Sequence, residues 1–274
     1  MRTLPSPSRC REIGSSGSSP LTFALALGAL LPAYAGCGAP PESGAGGIEI
    51  STGEIEDVNG LKAINGFKVS NGLESVSGLN LSSGLSSSTG LTGSSSFVAT
   101  ADGRTTLAYL VRCALPAGRT LSKTTAGITY SFRGEVGLAP EWETGACGQM
   151  CQQWVSACML ALVNTTGQHI SLWTVGQHKA LGWGEDAGYS YQEGSFFGNI
   201  FTSPPSAYFC GGRDYGVHPI AGRIGSTQTD PPYTNIYGAG GRCGPTCTPA
   251  DIPYASDGVK ACSGWNAVVT VWHQ

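Results

Sequence analysis

Apolar and polar positions follow one rule in the first part of the chain and another in the rest. Between residues 55 and 96 a glycine followed by an apolar residue returns every six positions. The pairs are Gly60-Leu61, Gly66-Phe67, Gly72-Leu73, Gly78-Leu79, Gly84-Leu85 and Gly90-Leu91, with Ile55 one unit earlier in the same register. From Phe97 onward the spacing becomes that of ordinary secondary structure. Residues 105–115 place Leu107, Leu110 and Val111 on one side of a helix that Pro116 stops. Residues 147–164 form the central helix of the prediction. At about 100° per residue, Cys147, Cys151 and Cys158 fall within roughly a 40° arc, flanked by Trp154 and Leu162. Residues 128–132, 169–175, 198–201, 207–210 and 267–272 read as short strands between Gly/Pro-rich loops. Helices early and strands late give an α+β class. The expectation is one disulfide-rich domain over 97–274, with two early helices and short, mostly antiparallel strands.

The hexad repeat has three physical readings. Each hexad is one face of a parallel β-coil, or a four-residue strand in a meander joined by Asn-Gly and Ser-Gly turns, or part of a low-complexity stalk. Six hexads make only about two coils, fewer than such stacks need. The decay into SSGLSSSTGLTGSSS favours the stalk, so residues 55–96 are assigned as a spacer.

Ahead of the repeat, residues 1–36 carry arginines before an apolar run, Leu21 to Leu31, too short to span a bilayer. This is an export signal. Ala33-Tyr34-Ala35 offers an ordinary signal-peptidase site, whereas Tyr34-Ala35-Gly36-Cys37 resembles a bacterial lipobox, which would attach lipid at Cys37 and place the chain on a membrane. Residues 37–54 are then a Pro/Gly/Ser tether. Past Cys37 stand eight cysteines: Cys113, Cys147, Cys151, Cys158, Cys210, Cys243, Cys247 and Cys262. An even number suits four bridges in an oxidising compartment, and lipid attachment at Cys37 leaves no odd thiol. The CxxxC pairs Cys147/Cys151 and Cys243/Cys247 look metal-like, but exported cysteines oxidise, so disulfides are expected and no metal or cofactor is assigned. The expected pattern ties the central helix to the Cys243–Cys262 region and to Cys113 or Cys210.

Charged residues make up 12% of the chain and the net charge is −3, without a basic patch, which argues against a nucleic-acid partner. No Gly-x-Ser-x-Gly elbow occurs in the domain, and nothing marks Ser263 as activated. Two polar neighbourhoods remain. Residues 211–218 could present Asp214 and His218 as a base and its orienting carboxylate, though a plain loop with an Arg213–Asp214 salt bridge explains the same residues. Residues 182–194 gather Trp183, Glu185, Asp186, Tyr189, Tyr191 and Glu193, with Glu141, Trp142 and Glu143 as a similar group. Rings beside acids are what a glycan-binding or glycan-cleaving surface uses. His169 and His273 are expected at the surface or at strand edges, and His178 in a loop.

The phrases at residues 108–115, 139–142, 192–199 and 208–213, set beside the lipobox and the hexads, resemble a group of uncharacterised exported bacterial proteins. Its members have a lipoprotein-type leader, a Gly-rich spacer and a cysteine-rich C-terminal domain. The resemblance implies export and transfers no catalytic role. Ligand binding or envelope interaction by a lipid-anchored protein is the leading expectation, with a cell-surface glycan or protein as ligand. A secreted hydrolase of glycan or peptide material is the alternative.

Overall fold

The structure is a computed structural model. It describes residues 55–58, 78–93, 96–163, 169–184, 186–218, 235–236, 243, 247–250 and 258–274, with the backbone alone at 55–58, 169 and 235–236. The leader, Cys37, the tether, Glu185 and the hexads from Gly60 to Leu73 lie outside the described residues.

Two helices and a six-stranded sheet make up the body. Helix α1 is Ala101–Ala114 and α2 is Gln149–Ala161. The sheet runs β1(Ile55–Val58), β4(His169–Val175), β10(Val268–His273), β5(Tyr191–Asn199), β6(Ser206–Gly211) and β7(Asn235–Ile236) in that spatial order. Its pairs are antiparallel except β6 with β7. Two hairpins flank it, β2(Thr120–Thr125) with β3(Ile128–Arg133) and β8(Cys247–Pro249) with β9(Val259–Cys262). The class is α+β with mostly antiparallel strands, as the sequence predicts.

Side-chain alternation divides the sheet between two cores. Phe196, Val269, Val271 and Leu172 face the helices, whereas Phe197 and Val268 face the β8–β9 hairpin. Every residue of β5 from Gln192 to Asn199 is therefore buried, which explains why 191–194 reads as a loop: a strand covered on both faces loses the polar–apolar alternation that marks one. Helix α2 is buried continuously from Gln153 to Ala161 because it lies between the sheet and α1. Helix α1 starts four residues before its predicted first residue, Thr105. Thr100 caps it, its Oγ1 accepting from the Gly103 N–H at 3.0 Å, and this cap precedes the apolar run that announces the helix.

The C-terminal hexads are part of this core, a correction to the boundary at Phe97. Leu79, Leu85 and Leu91 are at most 4% exposed and join the helix-side cluster. Main-chain bonds lock the segment in place: Leu85 N–H to the Trp142 carbonyl at 2.8 Å, Ser86 N–H to Glu143 at 3.0 Å, and Cys147 N–H to Leu81 at 2.8 Å. Lys123 adds two more, its ammonium donating to the carbonyls of Ser86 and Ser88 at 2.8 and 3.0 Å. The repeating glycine has a steric reason. A Cβ on Gly84 would collide with the backbone of Thr144 and Glu143, and one on Gly78 or Gly90 with the backbone of the other. Glycine permits backbone contact, and the next residue fills the core.

Four disulfides close the domain: Cys113–Cys158, Cys147–Cys151, Cys210–Cys243 and Cys247–Cys262. The first links α1 to α2, one of the expected ties. The expected tie from α2 to the Cys243–Cys262 region is not formed. Cys147 sits just before α2 with its Cα 5.3 Å from that of Cys151, so these two satisfy each other.

Candidate ligand-binding site

At one end of the sheet, Tyr191 opens β5 opposite His273 of β10, which in turn lies opposite Leu172 of β4. The chain leaving β6 folds back over this end. Gly211 and Gly212 make that possible, since a Cβ on the first would enter the Tyr215 ring and on the second the Gln192 side chain. Tyr215 then packs on Phe209 with ring centroids 5.4 Å apart, anchoring the turn to the core.

The turn is fixed by a polar network centred on Asp214. Its carboxylate accepts from the Gln192 N–H at 2.8 Å and from Arg213 Nε at 3.1 Å. The Asp214 N–H donates to the Gln192 carbonyl at 3.1 Å, and the Arg213 N–H donates to Gln192 Oε1 at 2.6 Å. Arg213 Nη2 reaches the Ser190 carbonyl at 2.8 Å. His218 is joined to Asp214 through the backbone, its N–H donating to the Asp214 carbonyl at 3.3 Å. The His218 ring stacks on Tyr191, with centroids 3.9 Å apart and planes 28° from parallel. His273 stands 5.6 Å from Tyr191 on its other neighbour strand. His218 and Arg213 are exposed and Tyr191 is half-buried, so a ring stack and a guanidinium share one solvent-facing rim.

Asp214 and His218 thus meet in one turn, joined through the backbone. The carboxylate orients Gln192 and Arg213, and the imidazole rests on a phenol ring. The plain-loop reading of the Arg213–Asp214 salt bridge is the one the structure shows.

The second predicted neighbourhood divides. Tyr189 is 5% exposed, its hydroxyl hydrogen-bonded to Ser171 Oγ at 2.7 Å and its ring 6.1 Å from Trp173. Asp186 closes its own turn, accepting from the Gly188 N–H at 2.7 Å. Glu193 is buried within β5. Trp183 stays half-exposed beside Gly184, whose carbonyl takes the Trp173 indole N–H at 3.0 Å. In the third group Trp142 is core, edge-on to Phe201, and Glu143 pairs with Arg119 at 3.0 Å. Among the described residues, Asp186 serves a turn, Glu193 a strand and Glu143 an ion pair.

One feature escapes the sequence. His273, expected at an edge, is 4% exposed and belongs to the Tyr191 stack. Its position opposite Tyr191 depends on strand order, which no local pattern carries. Among the described residues no helix is long and apolar enough to cross a membrane. No family model matches this chain, and no curated protein or solved structure is significantly similar to it.

Proposed function

We propose that the chain is an exported, lipid-anchored binding domain whose ligand docks on the Tyr191–His218–Arg213 rim. The observation that carries this reading is the stack of His218 on Tyr191, beside a network in which Asp214 Oδ2 accepts from Gln192 and Arg213. A preorganised ring platform beside a guanidinium favours a flat, hydroxyl-rich ligand: sugar faces stack on rings, and Arg213 donates to hydroxyl or carboxylate oxygens. An envelope glycan bearing acidic groups has this chemistry. The hydrolase alternative needs a carboxylate oriented toward an imidazole, whereas the bonds to Asp214 Oδ2 come from Gln192 and Arg213. Four disulfides support an oxidising location, consistent with export and with attachment through Cys37.

The test is calorimetric titration of the oxidised protein with soluble cell-wall glycan fragments. Tyr191→Ala and Arg213→Ala should each weaken binding at least about tenfold, or 1.4 kcal/mol, with circular dichroism unchanged. Undiminished binding by both variants would overturn the assignment of the rim. Turnover of the fragments that His218→Ala abolishes would replace the binding reading with the hydrolase.

A further inference from the structure

We propose that Cys210, Cys243, Cys247 and Cys262, once reduced, form a tetrahedral thiolate site for one zinc ion. The two disulfides they make are in direct sulfur contact. Cys210 Sγ lies 3.9 Å from Cys247 Sγ and 3.9 Å from Cys262 Sγ, although it is bonded to Cys243. The sulfurs of Cys210, Cys243 and Cys247 all lie within 4.8 Å of one another. Zinc–sulfur bonds of about 2.3 Å in a tetrahedron put neighbouring sulfurs about 3.8 Å apart. The Cys210–Cys247 and Cys210–Cys262 distances already match that edge, and reduction must part the bonded pairs Cys210–Cys243 and Cys247–Cys262 to complete it. The other two bridges do not share this feature: Cys113–Cys158 joins two helices, and Cys147–Cys151 lies at the start of one.

The backbone keeps the four thiols together without their covalent bonds. Cys247 and Cys262 are opposite partners in the β8–β9 hairpin. Cys262 exchanges hydrogen bonds with Trp265 at 2.9 and 2.7 Å, and the Cys243 N–H donates to the Gly211 carbonyl at 2.9 Å, next to Cys210. Phe197, Val259 and Val268 form a dry wall behind Cys210 and Cys262, which are fully buried. Cys243 and Cys247 are half-exposed and give a reductant and a metal their way in.

The chemistry balances with a dithiol as reductant. Each of the two disulfides takes two electrons and two protons from one dithiol, which closes to its own disulfide and leaves two cysteine thiols. The four thiols then release up to four protons as they bind the ion, so the site fills more readily as pH rises. A disulfide oxidant reverses the sequence: one oxidant molecule takes two electrons from each thiolate pair and, with two protons, becomes a dithiol, the two bridges re-form and the metal is expelled. The cluster is in this view a redox-gated zinc site, covalently closed when oxidised and metal-closed when reduced.

The full chain would be reduced with excess dithiol, freed of it anaerobically, and titrated with Co²⁺ and then Zn²⁺. The expected result is one equivalent of cobalt with the intense visible and near-ultraviolet bands of a tetrahedral thiolate complex, displaced by one equivalent of zinc. Cys210→Ser should weaken binding at least about tenfold, whereas the paired variant Cys147→Ser/Cys151→Ser should not change it. Mapping of alkylation on the wild-type chain gives a second readout in case Cys210→Ser fails to fold. Zinc should slow labelling of Cys210, Cys243, Cys247 and Cys262 and leave Cys113 and Cys158 at their metal-free rates. A weak octahedral cobalt spectrum, or labelling of those four cysteines unchanged by zinc, would overturn the site and leave two adjacent disulfides.

Discussion

Asp214 shows how a residue with a catalytic look is drawn into structure. Its Oδ2 satisfies the backbone N–H of Gln192, the second residue of a strand buried on both faces, and pairs with Arg213 Nε beside it. Asp214→Ala would strand that N–H, at a cost of about 1–3 kcal/mol in a urea or thermal unfolding curve. Asp214→Asn keeps one acceptor and should cost less. Catalysis by an Asp214–His218 pair would predict instead that both substitutions abolish turnover without altering stability. His178 makes a second prediction. Burial pushes its imidazole below the ordinary range, Lys179 adds to the effect, and Glu141 opposes it. Its Nδ1 accepts from the Ala180 N–H at 3.2 Å, and the ring lies 5.0 Å from Trp154, so the fold holds the neutral form. The unfolded chain binds the proton more tightly. Stability from this residue is therefore complete above the unfolded value near 6.5 and declines as pH falls through the lower folded value. Melting temperatures measured from pH 8 to 5 should drop on the acid side, and His178→Gln should flatten that part of the drop.

Among the elements, the C-terminal hexads separate most clearly what a sequence conveys from what it withholds. Their period is plain, and so is the Gly–Leu pairing, yet neither says whether the leucine column meets a core. The column is buried because Trp142, Glu143 and Cys147 supply carbonyls and an N–H to the segment, partners some 60 residues away. Leu85→Ala should cost about 2–5 kcal/mol, as for a fully buried leucine. Gly84→Ala, outwardly a mild change, should be comparably damaging because its methyl meets backbone and not a mobile side chain. A stalk would tolerate both, so chemical denaturation of these two variants separates the readings. Helices α1 and α2 are legible because their apolar stripes survive burial. Strand β5 is not, because burial on both faces erases its alternation, and with β5 misplaced Tyr191 passes for a loop residue. Its true position in the sheet, opposite His273, is what creates the candidate rim.

For the molecule as a whole, four bridges tie together a chain with 12% charged residues. They are not equivalent. Cys113–Cys158 spans 45 residues and joins the two helices, whereas Cys147–Cys151 spans four. Removing the first by paired Ala substitution should cost about 2–5 kcal/mol, and removing the second much less, since a short loop restricts the unfolded chain little. The parity of the cysteines is enough to expect four bridges, but the partners depend on which elements the fold brings together, so the sequence offers the α1–α2 link only as one of two alternatives, Cys113 or Cys210. The proposed export of an oxidised, lipid-anchored domain is tested most directly by one measurement. Protein recovered from the envelope of its native cell, alkylated without reduction, would be digested and mapped by mass spectrometry. The prediction is lipid on Cys37 and unlabelled Cys113–Cys158, Cys147–Cys151, Cys210–Cys243 and Cys247–Cys262 peptide pairs. Alkylated thiols at most of these positions, on a chain free of lipid, would contradict it.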